Sequence, residues 1–267
     1  MKKSSPDIEI VEGITFELIP IGKSLSKGKF ITLRKNREYT NRYLSLADEF
    51  QGCRCVEVGV DQGGSTSFFT KLLKPEKMLA FELSKQPVET VTRFLAHHDP
   101  QGRVEIHWGV DQSDRVEIPI LLEKAFREYP LDIVIDDASH LLAPSTATFE
   151  MIFPRLRPGG LYILEDWSCA HLRDRALKQR LEQDPHGELA QKFETALIAG
   201  HKFEPPMSVL ICQLLVAAGY NKEWISDLRV ADGFCEVRRG SAEIEIDTPI
   251  EEYLGPLGQQ MFEKLTT

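Results

Sequence analysis

The sequence predicts an α/β fold, doubly wound around a mainly parallel sheet and finished by an antiparallel hairpin. Three observations predict it. Short apolar runs, several of them β-branched, alternate strictly with helical patterns from about residue 55 to residue 167. Polar clusters rich in Asp, Glu, Gly and His follow the carboxyl ends of those runs. Near the C-terminus two strand-like segments, 224–230 and 234–238, flank Ala231-Asp232-Gly233, which reads as a hairpin turn.

Each element follows from local pattern. Cys55-Val56-Glu57-Val58-Gly59 is a buried strand; it leads through a glycine-bearing loop into a helix using Phe68, Phe69, Leu72 and Leu73. Met78 to Glu82 is the second strand, and Val88 to His98 is helical with Val91, Phe94 and Leu95 apolar. Val104 to Trp108 is the third strand, and a helix over about 120–129 follows it. Leu131 to Ile135 and Leu161 to Leu164 are the next two strands. Between them Phe149, Ile152, Phe153 and Leu156 recur at helical spacing, and Pro158-Gly159-Gly160 is expected to stop that helix. Two strands joined through one helix make a right-handed crossover and point the same way, so their polar ends share one sheet edge.

The flanks read differently. Residues 1–50 form an N-terminal arm or lid, with short strands at 8–11 and 14–19 and a helix from Tyr39 to Phe50. Lys23, Lys27, Lys29, Arg34, Lys35, Arg37 and Arg42 gather there, either as a solvated segment or as a flap facing an anionic group. Residues 51–267 form the main domain. A charged insertion over about 171–203 carries Leu177, Leu181, Leu189 and Phe193 at amphipathic spacing. Pro205-Pro206 then opens a helix to Ala218, with Gly219 as its expected C-cap.

Composition narrows the function. The 267 residues are 42% hydrophobic, enough for a substantial core, and the net charge of −9 argues against a general nucleic-acid binder. No apolar run approaches membrane-spanning length, and MKKSSPDIEIVEG has no apolar core of a secretory signal. Five cysteines without CxxC pairing fit a reduced cytoplasm. Oligomeric state is open, a homo-oligomer included.

Two clusters carry chemistry. In Glu57-x-Gly59-x-x-x-Gly63-Gly64-Ser65 the glycines let backbone approach a ligand closely, at the strand end where open α/β sheets bind nucleotides. Its spacing is not G-x-G-x-x-G. Glu82 ends the next strand, where a carboxylate can accept both ribose hydroxyls; Asp111-Gln112 follow the third strand and could meet an adenine. The second cluster joins Asp137, Glu165 and Asp166. These hard oxygens suit Mg²⁺ or a similar divalent ion, and His140 stands beside them as a candidate base. The bland reading makes Asp137 and Ser139 helix caps and leaves Glu165-Asp166 in solvent. Strand alternation turns Asp136 to the other side of the sheet.

Together, VEVGVDQGGS, LAFEL, DQSD, IDDASH and RPGGLYILEDW resemble class I S-adenosylmethionine-dependent methyltransferases. IDDASH with PGGLYILEDW is similar to the metal-dependent sugar O-methyltransferases of macrolide biosynthesis, the mycinamicin 2''-O-methyltransferase type, and to the cephalosporin hydroxylase group. The resemblance implies a Rossmann-like sheet of seven strands. It implies S-adenosylmethionine held by Glu57, Gly59, Gly63, Ser65, Glu82, Asp111, Gln112 and Asp137, and Mg²⁺ held by Asp137, Glu165 and Asp166. His140 would be the catalytic base. The chain departs from that pattern at Ala138 and Val110, where glycine is usual.

The expected reaction is methyl transfer to a hydroxyl of a small molecule, sugar-containing or a diol. Three rivals share these features: a metal-independent methyltransferase on the same fold, a non-catalytic cofactor-binding protein, and an NAD-linked enzyme.

Overall fold

The computed structural model describes residues 7–19, 30–127, 129–188, 191, 192, 195, 205–231 and 233–266. Lys23, Lys27, Lys29, Leu189, Phe193 and Asp232 lie outside the described residues.

Strands β4 (Arg54–Val58), β5 (Lys77–Glu82), β6 (Val104–Trp108), β7 (Leu131–Asp136), β8 (Leu156–Glu165), β9 (Ile225–Ala231) and β10 (Phe234–Arg239) form a seven-stranded sheet. Its order is β6-β5-β4-β7-β8-β10-β9, parallel except for β10, which runs antiparallel to β8 and β9. The expected doubly wound sheet with its closing hairpin is therefore present. Order reverses between β5 and β7 on either side of β4, and this switch opens a crevice at the strands' carboxyl ends.

Alternation along the strands sorts the core into two faces. Val56, Leu79, Val134, Tyr162 and Leu164 pack on one side, against α4 (Glu117–Phe126), α5 (Leu142–Ile152), α7 (Ser208–Tyr220) and α8 (Ile250–Tyr253). Cys55, Met78, Ile133, Ile135, Leu161 and Ile163 pack on the other, against α1 (Arg37–Phe50) and α2 (Gly64–Leu73). Phe68, Phe69, Phe149 and Phe153 are fully buried, each contributing about 1.5–3 kcal/mol from burial. Helices α3 (Glu89–His98), α6 (Cys169–Gln183) and α9 (Gly255–Thr266) complete the described elements.

The described part of the arm forms a small sheet of its own. β1 (Ile8–Val11) pairs antiparallel with β2 (Ile14–Leu18), which pairs parallel with β3 (Ile31–Leu33). This small sheet joins the α1/α2 face through Phe16, Leu18 and Leu33. Asn36 caps α1 by accepting a hydrogen bond from the Tyr39 backbone N–H at 2.8 Å.

Three boundaries differ from expectation, the first being α4, which runs from Glu117 to Phe126 and not over about 120–129. Leu156 is the first residue of β8, and Pro158-Gly159-Gly160 lie inside that strand. The ladder skips there: Leu131 faces Leu156 but Ile133 faces Leu161, so the missing Pro158 N–H falls at an irregularity. Gly219 is inside α7, which ends at Tyr220 with Asn221 as cap, because a buried stripe of Leu210, Leu214, Ala217 and Ala218 holds the last turn. Among the described residues no helix is long and apolar enough to cross a membrane.

Candidate active site

The site is built from loops at the carboxyl ends of β4, β7 and β8, closed from above by the segment between β3 and α1. A cavity of about 590 Å³ lies there, lined by Thr32, Arg34, Lys35, residues 59–62, Gly64, Ser65, residues 137–140, Cys169, Leu172 and Arg173.

The glycine loop is shaped by contacts that side chains would block. Gly59 has φ +93°, and a Cβ there would lie 2.3 Å from the Asp137 carbonyl oxygen. At Gly64 a Cβ would lie 1.9 Å from the carbonyl oxygen of Thr32, so β3 rests directly on the start of α2. Glu57 is buried behind the loop and accepts a hydrogen bond from Thr66 Oγ1 at 2.6 Å. Burial pushes its carboxyl up to about 7, although Ser65 and Thr66 favour the charged form.

Glu82 is bound to that loop. Its Oε2 accepts from the backbone N–H groups of Val60 and Asp61 at 3.0 and 2.9 Å, and its Oε1 accepts from Ser84 N–H at 2.8 Å. Asp111 closes its own turn, accepting from Ser113 N–H and Oγ. The Gln112 amide donates to Thr148 Oγ1 at 3.0 Å and accepts from Ser139 N–H at 2.9 Å. Of the expected cofactor residues, Gly59, Ser65 and Asp137 line the cavity. The other five do not.

The acidic cluster is drawn together around a cation of the chain's own. Lys35 Nζ donates to Asp137 Oδ2 at 2.9 Å and lies 2.6 and 2.8 Å from the two oxygens of Glu165. Burial disfavours this ammonium, but the charges of Asp137 and Glu165 outweigh it and hold its pKa above the ordinary lysine value. Tyr43 OH also donates to Glu165, and Tyr39 OH donates to Asp166 Oδ1 at 2.8 Å. Glu165 is thus saturated and 1% exposed. Asp136 points to the opposite face and accepts from Tyr162 OH at 2.9 Å, as alternation requires.

His140 lines the cavity with its Nε2 3.0 Å from Asp137 Oδ1. Burial favours the neutral ring, but the bond to Asp137 and that residue's charge outweigh it and raise the pKa. His140 and Asp166 both occupy the left-handed region, at φ 55° and 53°. Such strain in non-glycine residues persists where surrounding structure enforces it, and it clusters at functional sites. Among the described residues, the metal-ligating atoms of His140, Asp166 and Cys169 lie within 4.8 Å of one another.

Sequence reasoning missed four members of this cluster: Lys35, Tyr39, Tyr43 and Cys169. Lys35, Tyr39 and Tyr43 recur at intervals of four and so form one polar stripe entering α1, a readable signal. Cys169 follows Trp167 in the next turn and carried no pattern of its own. The described members of the basic segment are paired: Arg37 with Asp7 and Glu9, Arg42 with Glu236, and Arg34 with Asp61 at 3.3 Å.

The sheet order, the closing hairpin and the glycine loop define a class I methyltransferase fold. Residues 56–167 match a family described as a methyltransferase domain. Demethylmacrocin O-methyltransferase of Streptomyces fradiae is 52% identical over 73 residues, 27% of this chain and 18% of that protein. Mycinamicin VI 2''-O-methyltransferase of Micromonospora griseorubida is 45% identical over 60 residues, 22% of this chain and 15% of that protein. The MycE methyltransferase of the mycinamycin pathway, solved in complex with Mg and SAH, superposes with a TM-score of 0.51 at 23% identity. That superposition covers 78% of this chain and 50% of MycE. The chain therefore spans about half the length of that solved relative, and its matches to the curated relatives cover less than a fifth of theirs.

Proposed function

We propose that the chain is an S-adenosylmethionine-dependent O-methyltransferase, assisted by Mg²⁺ or a similar divalent ion, that methylates a hydroxyl of a sugar-containing or diol small molecule. The observation that carries this is His140: its ring lines the cavity, bonds to Asp137, and shares that cavity with the glycine loop. Similarity over short stretches to O-methyltransferases named for rhamnosyl and L-olivosyl acceptors supports the acceptor class.

The donor chemistry suits both groups, with Lys35 seated between two of the carboxylates that an ion would use. Gly59 and Ser65 would meet the methionine end of the cofactor, and the absence of a Cβ at Gly59 lets the loop close directly onto the Asp137 backbone beside that surface. Glu57 and Gly63 would support the loop from behind, while Glu82, Asp111 and Gln112 stand at the strand ends where a nucleoside would lie. Asp137, Glu165 and Asp166 would hold the ion; two of these carboxylates already converge on one positive nitrogen. When bound, the cofactor supplies an electrophilic methyl and the ion lowers the pKa of a hydroxyl beside it.

The chain's own part is orientation and proton transfer. Lys35 and His140 hold Asp137 below the usual carboxylate range against the opposing effect of its burial, so Asp137 is ionised and accepts the Nε2–H of His140. Nδ1 is then the free basic nitrogen, and it takes the proton of the acceptor hydroxyl. Calorimetry with S-adenosylhomocysteine, then mass spectrometry of glycosides and diols incubated with cofactor and Mg²⁺, tests the reading. Failure to bind S-adenosylhomocysteine, or binding of NAD in its place, overturns it. A metal-independent reaction has one observation in its favour, the Lys35 ammonium among the carboxylates. Turnover undiminished by exhaustive chelation would establish it. We place the enzyme in the cytoplasm, acting on small molecules and not on nucleic acid, with a homo-oligomer compatible.

A further inference from the structure

Lys35 places a fixed positive charge where the acid cluster would receive an ion. Its side chain is 2% exposed, and its ammonium contacts three carboxylate oxygens, one of Asp137 and both of Glu165. With Tyr43 OH also on Glu165, neither oxygen of that carboxylate is open to the cavity. The backbone on each side of Lys35 is anchored. Two residues earlier β3 ends, with the Thr32 carbonyl pressed on Gly64, and one residue later Asn36 caps α1. The ammonium is held in place by the fold and by ion pairing together. Glu165 is buried and Asp137 partly so, at 1% and 27% side-chain exposure; without a cation the two would repel, so a positive charge or a proton on one carboxyl has to offset them.

We propose that the Lys35 ammonium and a divalent cation are alternative occupants of the Asp137–Glu165 carboxylate pair, so that ion binding requires Lys35 to withdraw. This rests on reading the acid cluster as a cation site. Before that exchange, an ion arriving from the cavity meets His140, Asp166 and Cys169, whose ligating atoms already lie within 4.8 Å of one another. The flexible four-carbon stem of lysine allows the ammonium to swing away without moving α1. Lys35 thereby sets the affinity of the site for its ion.

Mn²⁺ binding, followed by electron paramagnetic resonance and calorimetry without cofactor or acceptor, tests this on the full chain and on Lys35→Met. The variant is expected to bind Mn²⁺ at least tenfold more tightly, and its Tm to rise more with Mn²⁺ than the wild type's. A structural role alone would lower Tm without tightening ion binding. Equal or weaker affinity in the variant overturns the proposal. Should Lys35→Met fail to fold, amine acetylation of the wild type read by mass spectrometry decides the matter. Lys35 is expected to be protected without ion and modified once Mn²⁺ is bound; protection that persists with bound Mn²⁺ overturns it. Neither readout needs the methyl donor, so failure to bind S-adenosylhomocysteine would sink the enzymatic reading and leave this one standing.

Discussion

Gly59 and Asp137 approach so closely across the β4 and β7 strand ends that a Cβ on Gly59 would sit 2.3 Å from the Asp137 carbonyl oxygen. The contact joins the two halves of the site. It sets the glycine loop directly against the residue that holds both Lys35 and His140.

Gly59→Ala should therefore damage binding and stability together. The φ of +93° is strained for alanine, costing roughly 1–3 kcal/mol, and the clash with backbone adds to that. Urea unfolding should show a midpoint lowered accordingly, and calorimetry should show S-adenosylhomocysteine affinity reduced tenfold or more. Wild-type affinity in a folded variant would mean that the loop is not the cofactor's.

His140→Ala should separate chemistry from binding. Loss of a positioned base costs about 10²–10⁴ in rate. Cofactor affinity should change little, because the hydrogen bond of the imidazole goes to the Asp137 side chain and not to the loop at Gly59 and Ser65. Single-turnover rates beside calorimetric titrations check both halves, and normal turnover would remove His140 from the mechanism.

The sheet was legible because each parallel strand from β4 to β8 carries a short apolar run and the cluster after it marks a carboxyl end; Glu57, Asp137 and Glu165 came with it. What faces those carboxylates was not legible. Lys35 and Glu165 are 130 residues apart, and no local period encodes a meeting across that distance. The same holds for Tyr39 and Asp166, 127 apart. Pro158-Gly159-Gly160 misled for a different reason: such a run usually ends a helix, yet here the ladder irregularity opposite Asp132 absorbs it within β8. The hydrogen bonds that tie Glu82 to Val60 and Asp61, and Gln112 to Ser139, were not legible either, because they depend on tertiary placement.

Asp136 gives the protein a pH-dependent stability. Burial pushes its carboxyl from 3.8 up to about 7, with the Tyr162 hydroxyl opposing that shift. The folded state keeps a proton that the unfolded chain releases near its ordinary pKa, so this contribution is full below about pH 4. It fades as pH rises and is gone above about 7. Asp136→Asn should flatten the urea-midpoint profile between pH 4 and 7 and stabilise the protein by about 1–4 kcal/mol at pH 8. Some slope should remain, since Glu57 is raised to about 7 by burial in the same way. A variant that is less stable than wild type at pH 8 would contradict the assignment.

Two buried tyrosines should answer oppositely to removal of one oxygen. Tyr43 is 1% exposed, packs edge-on against Phe69 and Phe234 at centroid distances of 4.7 and 5.5 Å, and donates its hydroxyl to Glu165. Phenylalanine keeps those ring contacts and leaves Glu165 bonded to Lys35 alone, so Tyr43→Phe should cost about 1–3 kcal/mol. Tyr253 is equally buried, against Phe149, Phe153 and Trp224, but its hydroxyl finds no hydrogen-bond partner among the described residues. Its burial is a standing penalty that Tyr253→Phe relieves, so that variant should be neutral or more stable by up to about 1–3 kcal/mol. Urea midpoints at constant m-value report both changes on one scale. If the two variants shifted by the same amount in the same direction, the Tyr43–Glu165 bond would not be holding the acid cluster in place.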